Sequence, residues 1–96
     1  MRPSEALAKH REEARSVLSG YAVANPRIFG SAARGMDGEE SDLDIIVKPA
    51  GTLTYLDLAR LEEDLSALFG VKVDIRTEGE FSERVLTRIR RDFVDL

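Results

Sequence analysis

The residues best suited to chemistry lie between positions 28 and 47 of this sequence. A short apolar run ends at a Gly30-Ser31 turn, a small-residue segment containing Arg34 follows, and Asp42-x-Asp44 leads into a second apolar run. A glycine turn that opens a helix leaves backbone N–H groups unpaired, and such groups bind anions such as phosphate. The turn is therefore a candidate site for a phosphate chain.

The two aspartates suggest a metal beside that phosphate. Residues two apart in a strand share a face, so Asp42 and Asp44 are expected to point the same way. Paired carboxylates repel each other unless a cation lies between them, and a set of oxygen ligands favours Mg²⁺. The stretch thus predicts a turn that holds phosphates next to a divalent cation.

Two better-known motifs are excluded. Gly30 and Gly35 have the spacing of a P-loop, but the Lys-Ser/Thr pair required after the second glycine is missing. Asp42-x-Asp44 begins like an EF-hand loop, but apolar residues follow where further oxygen ligands are needed. The chemistry must therefore belong to a different class of site.

The elements that position these residues follow from hydrophobic periodicity and from turn signals. The sequence predicts strands at 27–29, 42–47 and 71–76, and helices at 4–20, just after 31, from Thr52 or Thr54 to about 69, and at 82–93. Ser4 is the expected N-cap of the first helix. The order αβαβαβα predicts an α/β (α+β) domain whose short mixed sheet carries its helices mainly on one face. The site would then lie on the other, open face.

The last predicted strand offers a further carboxylate. Lys72, Asp74 and Arg76 alternate with apolar residues and therefore share one face. From the residues alone, Asp74 is equally a member of the acidic site or an exposed residue balanced by Lys72 or Arg76.

Composition limits the classes of function. The chain has 96 residues, which suits a single domain over 1–96, and a hydrophobic fraction of 43%. A net charge of −4 argues against binding to duplex nucleic acid. There is no cysteine for thiol chemistry, and no apolar run predicts a signal peptide or a membrane span. We expect a cytoplasmic protein, and a homo-oligomer is compatible with the sequence.

The ordered pattern G-S-x-A-R-G followed by S-D-x-D resembles the nucleotidyltransferases of the DNA polymerase beta superfamily, and most of all the minimal nucleotidyltransferases. The resemblance covers nearly the whole chain and implies a polymerase-beta-like nucleotidyltransferase fold. It implies that Gly30 and Ser31 bind the triphosphate of a nucleotide and that Asp42 and Asp44 bind one or two Mg²⁺ ions. It also implies that Asp74 completes the catalytic and metal-binding site.

The two arginines near this site have less defined roles. Arg34 is expected either to pair with phosphate or to anchor an acidic loop residue such as Glu39 or Glu40. Arg76 shares a face with Asp74 and is a candidate for contact with the substrate.

The resemblance also implies a partner. Minimal nucleotidyltransferases of this type are typically antitoxins paired with a HEPN-domain ribonuclease toxin, and they transfer AMP from ATP to a toxin hydroxyl, commonly on tyrosine. One alternative is an antitoxin that neutralises its partner by binding alone. A second alternative is a small-molecule nucleotidyltransferase that acts as a dimer.

Overall fold

The computed structural model describes all 96 residues, Met1 to Leu96. Its elements are α1 (Pro3–Leu18), β1 (Val23–Phe29), α2 (Gly30–Ala33), β2 (Leu43–Pro49), α3 (Tyr55–Phe69), β3 (Val73–Thr77), a 3-10 turn (Glu78–Glu80), α4 (Glu83–Arg90) and β4 (Val94–Asp95). The predicted α/β order is confirmed, with one strand added at the end of the chain.

The sheet is mixed and has four strands in the order β3-β2-β1-β4. β2 runs parallel to β3, whereas β1 runs antiparallel to both β2 and β4. The strand β4 was not predicted, because the last helix was expected to reach about residue 93. The helix instead ends at Arg90, and the pairs Arg27–Asp95 and Ile28–Val94 close that edge of the sheet.

The N-cap of α3 is Thr54, one of the two predicted candidates, whereas the predicted N-cap of α1 is wrong. The Thr54 side chain accepts a hydrogen bond from the backbone N–H of Asp57, and the Asp57 side chain accepts one from Thr54 N–H, so each residue satisfies a donor of the other. The first helix begins at Pro3, with Arg2 as its N-cap. Ser4 therefore lies inside the helix rather than capping it.

The main core lies between the sheet and the helices α1 and α3. Leu43, Ile45 and Val47 of β2 are fully buried in this core, together with Leu61 and Leu65 of α3. Because side chains alternate along a strand, Asp44 between them must point to the opposite face of the sheet. The long helices thus cover one face, as predicted.

The opposite face is open only in part. Ile46 is fully buried there although it lies outside the core against α1 and α3. The ring of Phe29 packs edge-on against Phe81 and Phe93, at centroid distances of 6.0 and 6.5 Å. The segments that flank α4 therefore cover part of this face and leave the end that carries Asp44 exposed.

None of the helices is both long enough and apolar enough to cross a lipid bilayer.

Candidate active site

The turn after β1 brings the backbone directly against Asp44. Gly30 has a φ of +74°, a left-handed conformation that L side chains rarely adopt. A Cβ atom at this position would overlap Oδ2 of Asp44 and would lie 3.3 Å from its Cγ. Glycine is thus required both by the backbone conformation and by the close approach. The predicted phosphate turn and a predicted metal ligand are in contact.

The sheet places Asp74 beside Asp44. The two residues are register partners in the parallel β2–β3 pair, and Phe29 is the antiparallel partner of Asp44 on β1. The three residues form one row across the face that points away from α1 and α3. This row connects the Gly30 turn to the third predicted carboxylate, although 30 residues separate Asp44 from Asp74 in the chain.

Asp42 and Asp74 are each paired with a basic side chain. Asp42 lies just before β2, and its Oδ2 is 3.8 Å from Nζ of Lys72. Oδ2 of Asp74 is 3.3 Å from Nη2 of Arg76. Asp74 therefore lies beside Asp44 and also pairs with Arg76, so the geometry is compatible with both of its predicted roles.

Asp44 has no such partner, and its electrostatics differ accordingly. Burial raises the pKa of the Asp44 carboxyl above its usual value, and the charges of Asp74 and Asp42 raise it further. The positive charges of Arg76 and Arg34 oppose this change but do not cancel it. The three predicted aspartates therefore lie close enough for the charges of Asp42 and Asp74 to affect the ionisation of Asp44.

Arg34 contacts an acidic residue, but not one of those expected. Its Nη1 is 3.6 Å from Oδ2 of Asp92, which follows α4. Glu39 instead lies 3.9 Å from the N-terminal amine of Met1. The prediction that Glu39 or Glu40 anchors Arg34 is wrong, because the C-terminal segment folds back onto the turn and offers a carboxylate that is 58 residues away in sequence.

Arg27 was not predicted to matter, yet its guanidinium is buried on the site face of the sheet. It forms an ion pair of 3.0 Å with Glu78, lies 4.8 Å from the centroid of the Phe93 ring, and donates from Nε to the Asn25 carbonyl. Its Nη2 is buried without a hydrogen-bond partner. No local sequence signal marks this residue, since Glu78 and Phe93 come from distant segments.

Asp37 is the second residue that the sequence did not reveal. It is buried, and its Oδ2 accepts a hydrogen bond of 2.8 Å from the backbone N–H of Ser4 in the first turn of α1. Burial acts to raise the pKa of Asp37, but hydrogen bonding from Ser4 outweighs it, so the pKa lies below its usual value. This contact fixes the loop between the Gly30 turn and Asp42 onto the first helix.

The one pocket in the structure lies elsewhere. It has a volume of about 490 Å³ and lies where β2 and β3 end, lined by Pro49, Leu53, Thr54, Tyr55, Leu58, Thr77 and Glu80. Only one of these side chains is a carboxylate, whereas the open face carries three aspartates and two cations. The open face is therefore the better candidate for the chemistry.

The donor set on this face has the chemistry of a divalent-cation site, but its side chains do not converge on one point. No three acidic or histidine side chains converge into a ready-made ligand cluster. Asp42 and Asp74 are instead each paired with a basic side chain. These pairs are solvent-exposed and such pairs contribute little stability, so little free energy opposes their release. The oxygen donors themselves are of the kind that Mg²⁺ prefers.

A mixed sheet with a glycine turn against adjacent carboxylates offers backbone N–H groups for phosphates and oxygen ligands for a cation. Sequence comparison makes the class specific, because the profile of the nucleotidyltransferase domain matches residues 7–95. The chain belongs to the nucleotidyltransferase domain family and is a nucleotidyltransferase. The predicted family is confirmed.

The similar proteins are protein adenylyltransferases by name. Protein adenylyltransferase MntA of Thermococcus cleftensis is 32% identical over 88 residues, which cover 92% of this chain and 86% of that relative. A Methanocaldococcus jannaschii protein, provisionally assigned as protein adenylyltransferase MJ1215, is 40% identical over 74 residues, covering 77% of this chain and 83% of its own.

Solved structures agree with the fold. A provisionally assigned minimal nucleotidyltransferase has a TM-score of 0.86 at 38% identity and is matched over 97% of this chain and 95% of its own. A chain in the complex of tri-AMPylated Shewanella oneidensis HEPN toxin with MNT antitoxin has a TM-score of 0.69 at 18% identity, covering 92% of this chain and 69% of its own. At that identity the second match shows the shared fold alone.

Proposed function

We propose that this protein transfers AMP from ATP to a hydroxyl group, most simply a tyrosine, of a partner HEPN-domain toxin, and so acts as its antitoxin. The name of the Thermococcus relative supports protein adenylylation as the reaction. The Shewanella complex supports the partner, since it joins an AMPylated HEPN toxin to a protein of this fold. We further propose that residues 1–96 act as one nucleotidyltransferase domain.

One observation carries the proposal. The backbone of Gly30 touches the Asp44 carboxylate, and Asp44 lies beside Asp74 on the open face of the sheet. A triphosphate held at the turn would therefore have its phosphorus atoms next to the carboxylates. Transfer of a phosphate-linked group depends mainly on such positioning and on neutralisation of charge.

The nucleotide side of the site consists of the turn and two of the aspartates. Gly30 and Ser31 would hold the β- and γ-phosphates through backbone N–H groups and the serine hydroxyl. Asp42 and Asp44 would hold one or two Mg²⁺ ions, which supply positive charge to the phosphates and to the leaving pyrophosphate. The pKa of Asp44 is raised by burial and by the charges of Asp74 and Asp42, and a bound cation would offset that repulsion.

The acceptor side consists of Asp74. This carboxylate lies on β3, one strand further from the turn than Asp44, and is about one-third exposed. It would accept the proton of the attacking hydroxyl or orient that hydroxyl towards the α-phosphorus. The acceptor would come from another molecule, for which the open face beside Asp74 leaves room.

Arg34 would act through both of its contacts. Its pairing with Asp92 ties the end of the turn to the C-terminal segment, and its charge reaches Asp44. A bound phosphate chain is a stronger partner for a guanidinium than one exposed carboxylate. We therefore propose that Arg34 exchanges Asp92 for phosphate when the nucleotide binds.

The test is mass spectrometry of the HEPN partner after incubation with this protein, ATP and Mg²⁺. We expect the partner to gain the mass of one or more AMP groups and fragment spectra to locate them on tyrosine. Asp42→Asn, Asp44→Asn and Asp74→Asn should each remove nearly all of this gain. Glu63→Gln is the matched control, because it removes one exposed charge from α3 on the other side of the sheet.

The alternatives give different results when protection against the toxin is measured beside the mass gain. An antitoxin that only binds would protect against the toxin without adding mass, and the aspartate variants would protect as well as the wild type. A small-molecule nucleotidyltransferase would leave the partner unchanged and would transfer AMP from ATP, releasing pyrophosphate, only when a small acceptor is supplied. The proposal would be refuted if the partner stayed unmodified although the wild-type protein protected against the toxin or transferred AMP to a small acceptor.

A further inference from the structure

Lys72, just before β3, and Arg76, on β3, flank Asp74 in the sequence, and each is paired with a different carboxylate of the site. Nζ of Lys72 reaches across to Asp42 at 3.8 Å, and Nη2 of Arg76 reaches back to Asp74 at 3.3 Å. Each cation thus lies near a carboxylate oxygen that a divalent metal would need as a ligand. Resting on the proposed metal-dependent function, we propose that Lys72 and Arg76 are built-in counter-cations, which a divalent metal replaces as the partners of Asp42 and Asp74.

The arrangement explains why the acidic site tolerates three carboxylates. Asp42 and Asp74 are each neutralised, and only Asp44 lacks a direct ion pair. The five side chains together carry a formal charge of −1. One divalent cation changes this to +1, so the site becomes attractive to an anionic nucleotide only after the metal has entered.

The two pairs are weak enough to be displaced. The side chains of Lys72 and Asp42 are 75% and 44% exposed, and those of Arg76 and Asp74 are 47% and 32% exposed. Ion pairs with this exposure are screened by water and contribute little. Binding of a divalent cation by two or three carboxylates easily outweighs that contribution.

Arg76 and Lys72 would behave differently once a metal has taken over their carboxylates. Arg76 has a second partner, because its Nη1 lies 3.6 Å from Oε1 of Glu80. The Glu80 carboxylate is itself held, since its Oε2 accepts hydrogen bonds from the backbone N–H and the hydroxyl of Thr77. Arg76 can therefore stay in place when Asp74 turns to a metal. Lys72 forms an ion pair with Asp42 only and would move into solvent.

Titration calorimetry with Mn²⁺ alone, without nucleotide or partner, tests this inference. Lys72→Gln and Arg76→Gln each remove one competing cation, so each should tighten Mn²⁺ binding by about two- to five-fold, the range that corresponds to an exposed ion pair. Arg60→Gln changes the net charge equally from the exposed surface of α3 and should leave the affinity near that of the wild type.

Thermal melts provide the second readout. In EDTA the Lys72→Gln and Arg76→Gln variants should melt below the Arg60→Gln control, because the carboxylates then repel without compensation. Saturating Mn²⁺ should close that gap. The Arg76 change should also have the smaller effect on metal affinity if Glu80 holds the guanidinium aside.

The outcomes separate this inference from the proposed function. Unchanged or weaker Mn²⁺ binding in both variants relative to Arg60→Gln would overturn it, as would a wild-type protein that binds no Mn²⁺. Tighter metal binding in the variants, together with no AMP transfer to the HEPN partner, would support the counter-cations and refute the transfer activity.

Discussion

The close approach of Gly30 to Asp44 gives the sharpest quantitative test of the site. Gly30→Ala introduces two costs. An alanine at a φ of +74° is strained by about 1–2 kcal/mol. Its Cβ would also overlap Oδ2 of Asp44, so the aspartate must leave its rotamer at a further cost of about 0.5–1.5 kcal/mol. The two costs together are about 1.5–3.5 kcal/mol. For a domain of this size, each kcal/mol should lower the melting temperature by roughly 4–8 °C.

The chain supplies a matched control for the backbone cost. Gly35 has a φ of +70°, and a Cβ built there would meet nothing within 4 Å. Gly35→Ala should therefore show the cost of the left-handed conformation alone. The excess destabilisation of Gly30→Ala over Gly35→Ala measures the contact with Asp44.

A double-mutant cycle isolates that contact. In an Asp44→Ala background, an alanine Cβ at position 30 would lie 3.5 Å from the remaining Cβ, which is ordinary van der Waals contact. Gly30→Ala should therefore be less damaging there, with a coupling energy of about 0.5–1.5 kcal/mol. Urea unfolding in EDTA gives all four free energies. If Gly30→Ala costs the same in both backgrounds and no more than Gly35→Ala, the turn does not lie on Asp44.

Three further predictions concern neighbouring groups. Asp44→Asn should melt at or above the wild type in EDTA at neutral pH and respond less to Mg²⁺, because the raised pKa of Asp44 means that its charge destabilises the fold. That difference should vanish in acid, where the wild-type carboxyl is protonated, and a variant with a lower melting temperature at neutral pH would contradict the reasoning. Asp37→Ala should cost about 1–3 kcal/mol at neutral pH, because the N–H of Ser4 loses its acceptor. Since the pKa of Asp37 is lowered in the fold, this contribution is present above the usual carboxyl range and is lost as the pH falls through the lowered value, so urea melts of variant and wild type should converge in acid. Ser31→Ala should weaken ATP·Mg²⁺ binding by about 1 kcal/mol in titration calorimetry, and an unchanged affinity would move the phosphates away from this hydroxyl.

Local sequence determined the pieces of the site that are close together in the chain. The Gly30-Ser31 turn and Asp44 fall within one ordered motif, and strand alternation alone put Asp44 on the face opposite Leu43 and Ile45. The start of α3 was equally predictable, because Thr54 and Asp57 form a cap within four residues. Such features depend on backbone geometry over a few positions.

Only the tertiary structure decided which distant residues meet. Asp92 rather than Glu39 pairs with Arg34, and Asp37 accepts a hydrogen bond from the first turn of α1. The pairs Lys72–Asp42 and Arg76–Asp74 also depend on the parallel register of β2 and β3. Periodicity shows which face a side chain occupies but not which segment packs beside it. The packing of the whole chain decides which segments meet. A single exposed ion pair is too weak to bring two distant segments together by itself.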